Sequence, residues 1–263
     1  EKRESEIDMY SFEDLKGHLN KYDKFQSLRG IDSGGMNIPL VKRFMQSIRW
    51  MTKTLDEEYK EDYIHYGITR FRAVKAYLSV LLKGRYRKYF IDKNFVHEIP
   101  PNEKFLFFPL QVQPERNVDI DAPFYSNQIE VIANISKALP AHFKLYVKEH
   151  PKMYLRHWRE ISDYKKIMRL ANVTLIHPTV SSKTLLDRCS IVITIAGTVG
   201  LEAATHEKPC ISFTDTIYSS LPSVYRVRGL EDLQQAISIS LKTEVNLSDV
   251  NKFINLLDRN SFE

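Results

Sequence analysis

Read for the spacing of its apolar positions, the chain changes character near Ile99-Pro100-Pro101-Asn102. Upstream, from Ile38 to about Lys93, apolar residues recur at helical intervals: Phe44, Ile48 and Met51, then Val74, Leu78, Leu81 and Leu82. Gly67 and Gly84 are expected to divide this stretch into two or three helices. Downstream, short apolar runs take over at Phe105–Leu110, Phe143–Val147, Val173–Ile176, Ile191–Ile195, Cys210–Phe213 and Val224–Val227. Amphipathic stretches separate them: Ser126–Leu139, about Leu155–Leu170, Ser182–Asp187, Val199–Glu207 and Leu230–Leu241, with a closing helix over about Leu247–Leu257. Continuous β-branched runs such as IVITI belong to strands covered on both faces, and their alternation with helices predicts successive βα units. The expected fold is α/β: a Rossmann-like parallel sheet with helices on both faces over residues 101–263, preceded by a mostly helical bracing region over residues 1–100.

Composition adds exclusions. The chain has 263 residues, 43% hydrophobic and 27% charged, with a formal net charge of +5. That is too apolar for a disordered chain and too weakly charged for a dedicated nucleic-acid binder. No run reaches the ~18 apolar residues of a membrane span. Cys189 and Cys210 sit in apolar surroundings and read as buried thiols of a reducing, cytoplasmic compartment. Glu1 stands where a starting methionine would, so the chain is read as an excerpt or a processed product. The one charge concentration is Ile68–Lys93, with eight basic residues against Asp92 alone and five interleaved aromatics. A solvated helix face whose Lys and Arg stems cover apolar groups explains it most simply, and an anionic membrane or glycan is the functional alternative.

In an open parallel sheet, ligands bind beyond the carboxyl ends of the strands. Four connections there are rich in polar and small residues. The turn Ala196-Gly197-Thr198-Val199-Gly200-Leu201-Glu202 has two glycines for close backbone approach and Thr198 placed to cap the next helix. Its exposed amides suit a phosphate, and Glu202 suits ribose hydroxyls. An ordinary strand-to-helix turn accounts for the same residues. In Lys148-Glu149-His150-Pro151, Lys148 and His150 can neutralise a phosphate, and His150 can protonate a departing phosphate oxygen. A surface lysine and a helix-capping histidine are the plain alternative. His177 repeats the His-Pro pattern one strand later; it is a substrate-binding candidate beside the first site, though a strand-ending role is favoured, and Ser181 or Ser182 is read as an N-cap. The spacing Gly197-Thr198-Val199-Gly200 is not the dinucleotide fingerprint, and GxSxG, HExxH, CxxC and P-loop patterns are missing from the sequence. Neither a dehydrogenase nor a serine hydrolase is supported, and no metal site or cofactor is expected.

The series FFPLQVQPERNVD, KLYVKEHP and SIVITIAGTVGLEAATHEKPCISF resembles the capsule polysaccharide biosynthesis proteins of bacteria. These are similar to GT-B-type glycosyltransferases, including transferases of Kdo from CMP-Kdo. The resemblance implies a nucleotide-sugar donor, a glycan or lipid-linked acceptor and metal-independent transfer. It places Lys148, His150 and Pro151 against the nucleotide phosphate. Thr198, Gly200 and Glu202 fall on the turn and helix start that hold the nucleotide. Gln111 falls beyond the first strand, facing the inter-domain cleft, and Glu115 in the loop after it. Residues 1–100 hold too few β-branched runs for a first GT-B domain. The expectation is therefore the donor-binding half of a larger enzyme, or a reduced relative, with its catalytic base unassigned. A nucleotide-sugar 2-epimerase on the same architecture, and a non-catalytic scaffold module at a membrane or glycan, are the competing readings.

Overall fold

A strand buried on both faces reads as a near-continuous apolar run, and FLFFP, IVIT and CIS do so, with the buried hydroxyls of Thr194 and Ser212 hydrogen-bonded at the strand ends. The computed structural model describes residues 70–260 except 114–115, 151–152 and 154–158, together with Met45. The helices expected around Phe44–Met51 and the break expected at Gly67 lie outside the described residues.

The chain runs α1 (Arg70–Asn94), β1 (Phe105–Pro109), α2 (Arg116–Asp119), a 3-10 turn (Pro123–Tyr125), α3 (Gln128–Ala138) and β2 (Lys144–Lys148). It continues with α4 (Ile161–Met168), β3 (Val173–Ile176), α5 (Ser182–Arg188), β4 (Ile191–Thr194), α6 (Val199–Thr205), β5 (Cys210–Ser212) and β6 (Val224–Arg226). A 3-10 turn (Leu230–Asp232) leads into α7 (Leu233–Ser240), and α8 (Leu247–Asn260) follows. All six strands pair in parallel, in the order β3-β2-β1-β4-β5-β6. This is the Rossmann-like fold, and each expected strand is present to within one or two residues of its expected bounds.

Strand alternation sorts the core into two layers. Leu106, Phe108, Leu145, Val147, Ile191 and Ile193 face one side, against Val131, Ile132 and Ile135 of α3, Tyr164 of α4 and Ile237 of α7. Phe105, Phe107, Tyr146 and Val192 face the other, against Leu185 of α5, Ala203 of α6 and Val250 of α8. Fully burying each large side chain stabilises the fold by roughly 1.5–3 kcal/mol, so the two layers supply most of the driving force. Cys189 and Cys210 are buried in the second layer, where desolvation pushes the Cys189 thiol up to about 12.

Two expectations are corrected. Gly84 does not break the first helix: α1 runs through it unbroken, because an interior glycine costs only about 1 kcal/mol relative to alanine. The helix expected over Leu230–Leu241 is split at Leu233, where the Asp232 side chain accepts from the Gly229 amide at 3.3 Å.

The end of α1 is built into the sheet unit. Ile91 and Phe95 lie in the first layer, upstream of the expected boundary. Val96 then makes a parallel bridge to Ile176, with Val96 N donating to Leu175 O and His177 N donating to Val96 O, both at 2.9 Å. His177 clasps the junction: Nε2 lies 3.1 Å from Asp92 Oδ1 and Nδ1 lies 2.6 Å from Thr179 Oγ1. The His97 ring stacks on it, centroids 4.1 Å apart.

Burial holds the His177 pKa below its usual value; Asp92 opposes this, while His97 and Lys88 reinforce it. The unfolded chain therefore binds more protons at this site than the native one, so stability is lost as pH falls through the histidine range. Urea unfolding compared at about pH 7.5 and about pH 5.5 should show this loss in the wild type and a flatter dependence in His177→Gln.

Candidate functional site

The strand order reverses between β1 and β4, and the residues that leave these two strands meet there. Gln111, just beyond β1, is buried. With its amide oxygen set to pair with donors, it accepts from Gly197 N at 2.6 Å, Ala196 N at 3.0 Å and Thr194 Oγ1 at 3.1 Å. The Thr194 hydroxyl also accepts from Gly197 N at 3.0 Å. The turn after β4 is thus held from beneath by a side chain of β1's loop, and Gln111 is a clamp on the site.

This corrects the picture of a turn with all its amides exposed: those of Ala196 and Gly197 are engaged by Gln111. The next two, of Thr198 and Val199, make no hydrogen bond among the described residues. Thr198 occupies the N-cap position of α6 in helical conformation, and its side chain does not cap, nor does that of Ser181 ahead of α5. The two glycines have packing reasons. A Cβ at Gly197 would lie 2.9 Å from both the Gln111 amide group and Thr194 Oγ1, and one at Gly200 would lie 2.4 Å from the Tyr218 ring. The Tyr218 hydroxyl donates to Gly197 O, so Tyr218 braces the turn from the other side. Glu202 is half-buried on the first turn of α6.

On the other side of β1, the end of β2 separates its residues by parity. Lys148 follows Tyr146 toward the second layer and is buried, with Nζ donating to Ser182 Oγ at 2.7 Å. Glu149 follows Leu145 and Val147 into the first layer and has no solvent exposure. Its carboxylate accepts from Arg159 Nε at 3.1 Å, Tyr164 Oη at 2.7 Å and His150 N at 2.8 Å. Burial pushes its pKa up, while the Arg159 charge and these hydrogen bonds pull it back. Arg159 also donates to Gln111 O at 2.6 Å and Gln113 Oε1 at 3.1 Å. Gln128 completes the network, donating to Gln111 O at 3.1 Å and accepting from Gln111 N at 2.8 Å. His150 stands half-buried beyond this network.

The structure thus brings Gln111 into contact with the Gly197 turn and sets Lys148 and His150 at the end of β2. With neighbouring strands about 4.8 Å apart, the ends of β2 and β4 stand about 10 Å from each other across β1. His177 lies farther out, beyond β3, with both ring nitrogens engaged in its clasp to Asp92 and Thr179. Glu115 and Pro151 lie outside the described residues. Sequence reasoning passed over Glu149 and Arg159. Parity alone marks Glu149, since it shares a strand face with Leu145 and Val147 and so had to find a partner. No cluster of three or more His, Cys, Asp or Glu that could hold a metal occurs among the described residues.

These features define an α/β protein of the Rossmann-like class, with its polar site at the carboxyl edge of a parallel sheet. Residues 44–250 match the model of the capsule polysaccharide biosynthesis proteins, well over half of the chain, and the chain belongs to that family. No curated protein sequence matches it. Among solved structures, the UDP-GlcNAc 2-epimerase of Methanocaldococcus jannaschii in complex with UDP-GlcNAc and UDP is 19% identical, with a TM-score of 0.42 over 76% of this chain and 59% of that one. The beta Kdo 2,4 transferase of Thermosulfurimonas dismutans KpsC is 17% identical, with a TM-score of 0.37 over 61% of this chain and 56% of that one. The beta Kdo 2,7 transferase of the same KpsC is 13% identical, with a TM-score of 0.40 over 78% and 69%. The chain thus spans about three fifths of the length of the epimerase.

Arg159 is the cation on which the buried Glu149 depends. Arg159→Ala leaves that carboxylate without its counter-ion and should destabilise the fold by about 3–5 kcal/mol, whereas Arg159→Ala combined with Glu149→Leu should recover much of the loss. Urea denaturation of the single and double variants checks both.

Proposed function

We propose that this chain is a glycosyltransferase-type protein of bacterial capsule or surface polysaccharide synthesis. It binds a nucleotide-activated sugar, a CMP-sugar such as CMP-Kdo being favoured, and passes the sugar to a glycan or lipid-linked acceptor. Family membership supports the pathway. The observation that carries the donor site is the turn at the strand-order reversal, where Gln111 and Tyr218 hold Gly197 rigidly while the Thr198 and Val199 amides make no bond within the described fold. Amides held in advance at a sheet crevice bind phosphate without reorganisation.

In this reading His150, at the rim of the adjacent strand, donates to the leaving phosphate as the glycosidic bond breaks. Lys148 adds positive charge from within the sheet edge, its ammonium oriented by Ser182. Glu202 accepts from the ribose hydroxyls, and Gln111 acts through the turn it clamps. The reaction draws on no cofactor beyond the nucleotide-sugar itself.

The protein works at the cytoplasmic face of the membrane in this proposal, held there by α1. Helical geometry places Lys75, Leu82, Tyr86, Tyr89 and Lys93 within one narrow stripe, and Leu82, Tyr86 and Tyr89 are 69%, 63% and 61% exposed. Tyrosines amid lysines and arginines suit the interface of an anionic bilayer. No helix among the described residues is long and apolar enough to cross a membrane.

Calorimetric titration with CMP, UDP and GDP should show one nucleotide bound selectively, with affinity reduced about tenfold or more in Glu202→Ala. His150→Ala should lower turnover by about 100-fold with little change in melting temperature; equal losses of activity and stability would remove its catalytic role. Co-sedimentation with phosphatidylserine vesicles should weaken as salt rises and be lost in Tyr86→Glu/Tyr89→Glu, and binding indifferent to both would overturn the membrane face.

A further inference from the structure

A second recess opens on the same carboxyl edge, one position along from the Gly197 turn. It has a volume of about 310 Å³ and lies between the 3-10 turn Pro123–Tyr125 and the ends of β5 and β6. That is the size of the smaller pockets that take a single small molecule, and too little for a whole nucleotide-sugar. Four planar charged groups line it: Asp121, Asp215, Arg226 and Arg228. Arg226 Nε donates to Asp215 Oδ1 at 2.8 Å, which holds one edge of each group and leaves further N–H donors and carboxylate acceptors directed elsewhere. Tyr125 packs against the buried Phe213, ring centroids 4.8 Å apart, and forms one wall.

Phe124, the preceding residue of that turn, is 95% exposed at the rim. A lone exposed phenylalanine is common and by itself says nothing. Here it borders a recess whose charged lining is two acids and two arginines, with Ala122, Pro123, Tyr125, Phe213 and Val227 as its apolar part; Asp121 Oδ1 also lies 3.7 Å from Arg116 Nε. Balanced planar donors and acceptors beside an open aromatic face match a polyhydroxylated ring: the hydroxyls pair with guanidinium and carboxylate edges, and the C–H face lies on the aromatic ring. A phosphate gains little here, because Asp121 and Asp215 offset the two arginines, and an apolar ligand would leave all four charged groups unsatisfied.

We propose that this recess is a carbohydrate subsite. It is coupled to the turn after β4: Thr214 Oγ1 donates to Ile195 O at 3.0 Å and Phe213 N donates to Thr194 O at 3.2 Å. A sugar bound there is therefore held in a constant position relative to the turn assigned to the donor. The assignment rests on the reading of that turn as a nucleotide-sugar site, and two sources can supply the ring: the sugar half of the donor, or the terminal unit of the acceptor glycan.

Saturation-transfer NMR on the full chain separates these, with four probes: an N-acetylglucosamine trisaccharide, a uronate-containing hyaluronan tetrasaccharide, CMP-N-acetylneuraminate and UDP-N-acetylglucosamine. Sugar ring protons of at least one probe should saturate in the wild type. That signal should fall about fivefold or more in Phe124→Ala and in Arg228→Gln, two exposed positions, with melting temperature and calorimetric affinity for the free nucleotide unchanged. Loss confined to an oligosaccharide assigns the subsite to the acceptor. Loss of the sugar signal of either nucleotide-sugar, with its nucleoside signal kept, assigns it to the donor. Saturation of no sugar, equal saturation in wild type and variants, or loss of nucleotide affinity along with the sugar signal overturns the proposal. A chain that binds no nucleotide but shows a Phe124-dependent oligosaccharide signal keeps the subsite and overturns the donor reading instead.

Discussion

A carboxylate with no contact with water has to be neutralised or the fold cannot close over it. Glu149 is that group, and the way it is satisfied organises the whole carboxyl edge. Arg159, its counter-ion, also reaches the carbonyl of Gln111, and Gln111 in turn holds the turn after β4. The loops leaving β1, β2 and β4 are therefore joined through one continuous set of hydrogen bonds, with Gln113, Gln128 and Tyr164 filling the remaining valences. No buried side-chain nitrogen or oxygen lacks a partner among the described residues. A network satisfied to that degree favours one conformation, because each alternative strands a polar group in a low-dielectric interior.

Much of this architecture was legible before any coordinates, and the reason is local. Strands such as IVIT and helices such as QIEVIANISKA announce themselves by period and composition, so every strand lies where the apolar runs put it. The edge residues were legible as positions but not as roles. Thr198 looked like a cap and does not cap; Gln111 was read only as a ligand contact, and its side chain holds the turn after β4; His177 is tied to a helix that ends some eighty residues earlier in the chain. In each case the deciding partner is distant in sequence, and spacing says nothing about distant partners. Arg159 was hidden for the same reason, since nothing around it in the chain marks its bond to Glu149. Gly84 failed differently: it is a weak helix breaker, and the rest of α1 outweighs its cost.

Under the proposed reading, the edge divides its labour among three places. The β1–β4 crevice offers backbone amides on a turn made rigid from two sides. The end of β2 offers a histidine at the rim and a lysine drawn inward. The recess beside β5 and β6 offers planar charged groups and an aromatic rim. The chemistry of a glycosyl transfer needs the same three provisions, for a phosphate, a departing charge and a sugar ring. Rigidity in the protein then replaces the solvent reorganisation the reaction would otherwise require.

The bridge from Val96 to Ile176 has a consequence for behaviour in a crowded cell. An open sheet presents unpaired amides and carbonyls along its outermost strands, and such rims can recruit a strand from another molecule. Here Val96 takes up the Leu175 carbonyl and the His177 amide on the β3 rim, while the opposite rim, β6, is only three residues long and carries the exposed Arg226. Neither side offers a long flat template. The end of α1 therefore guards the sheet against stacking with copies of itself, so that loosening the His177 clasp would expose an adhesive border as well as weaken the fold.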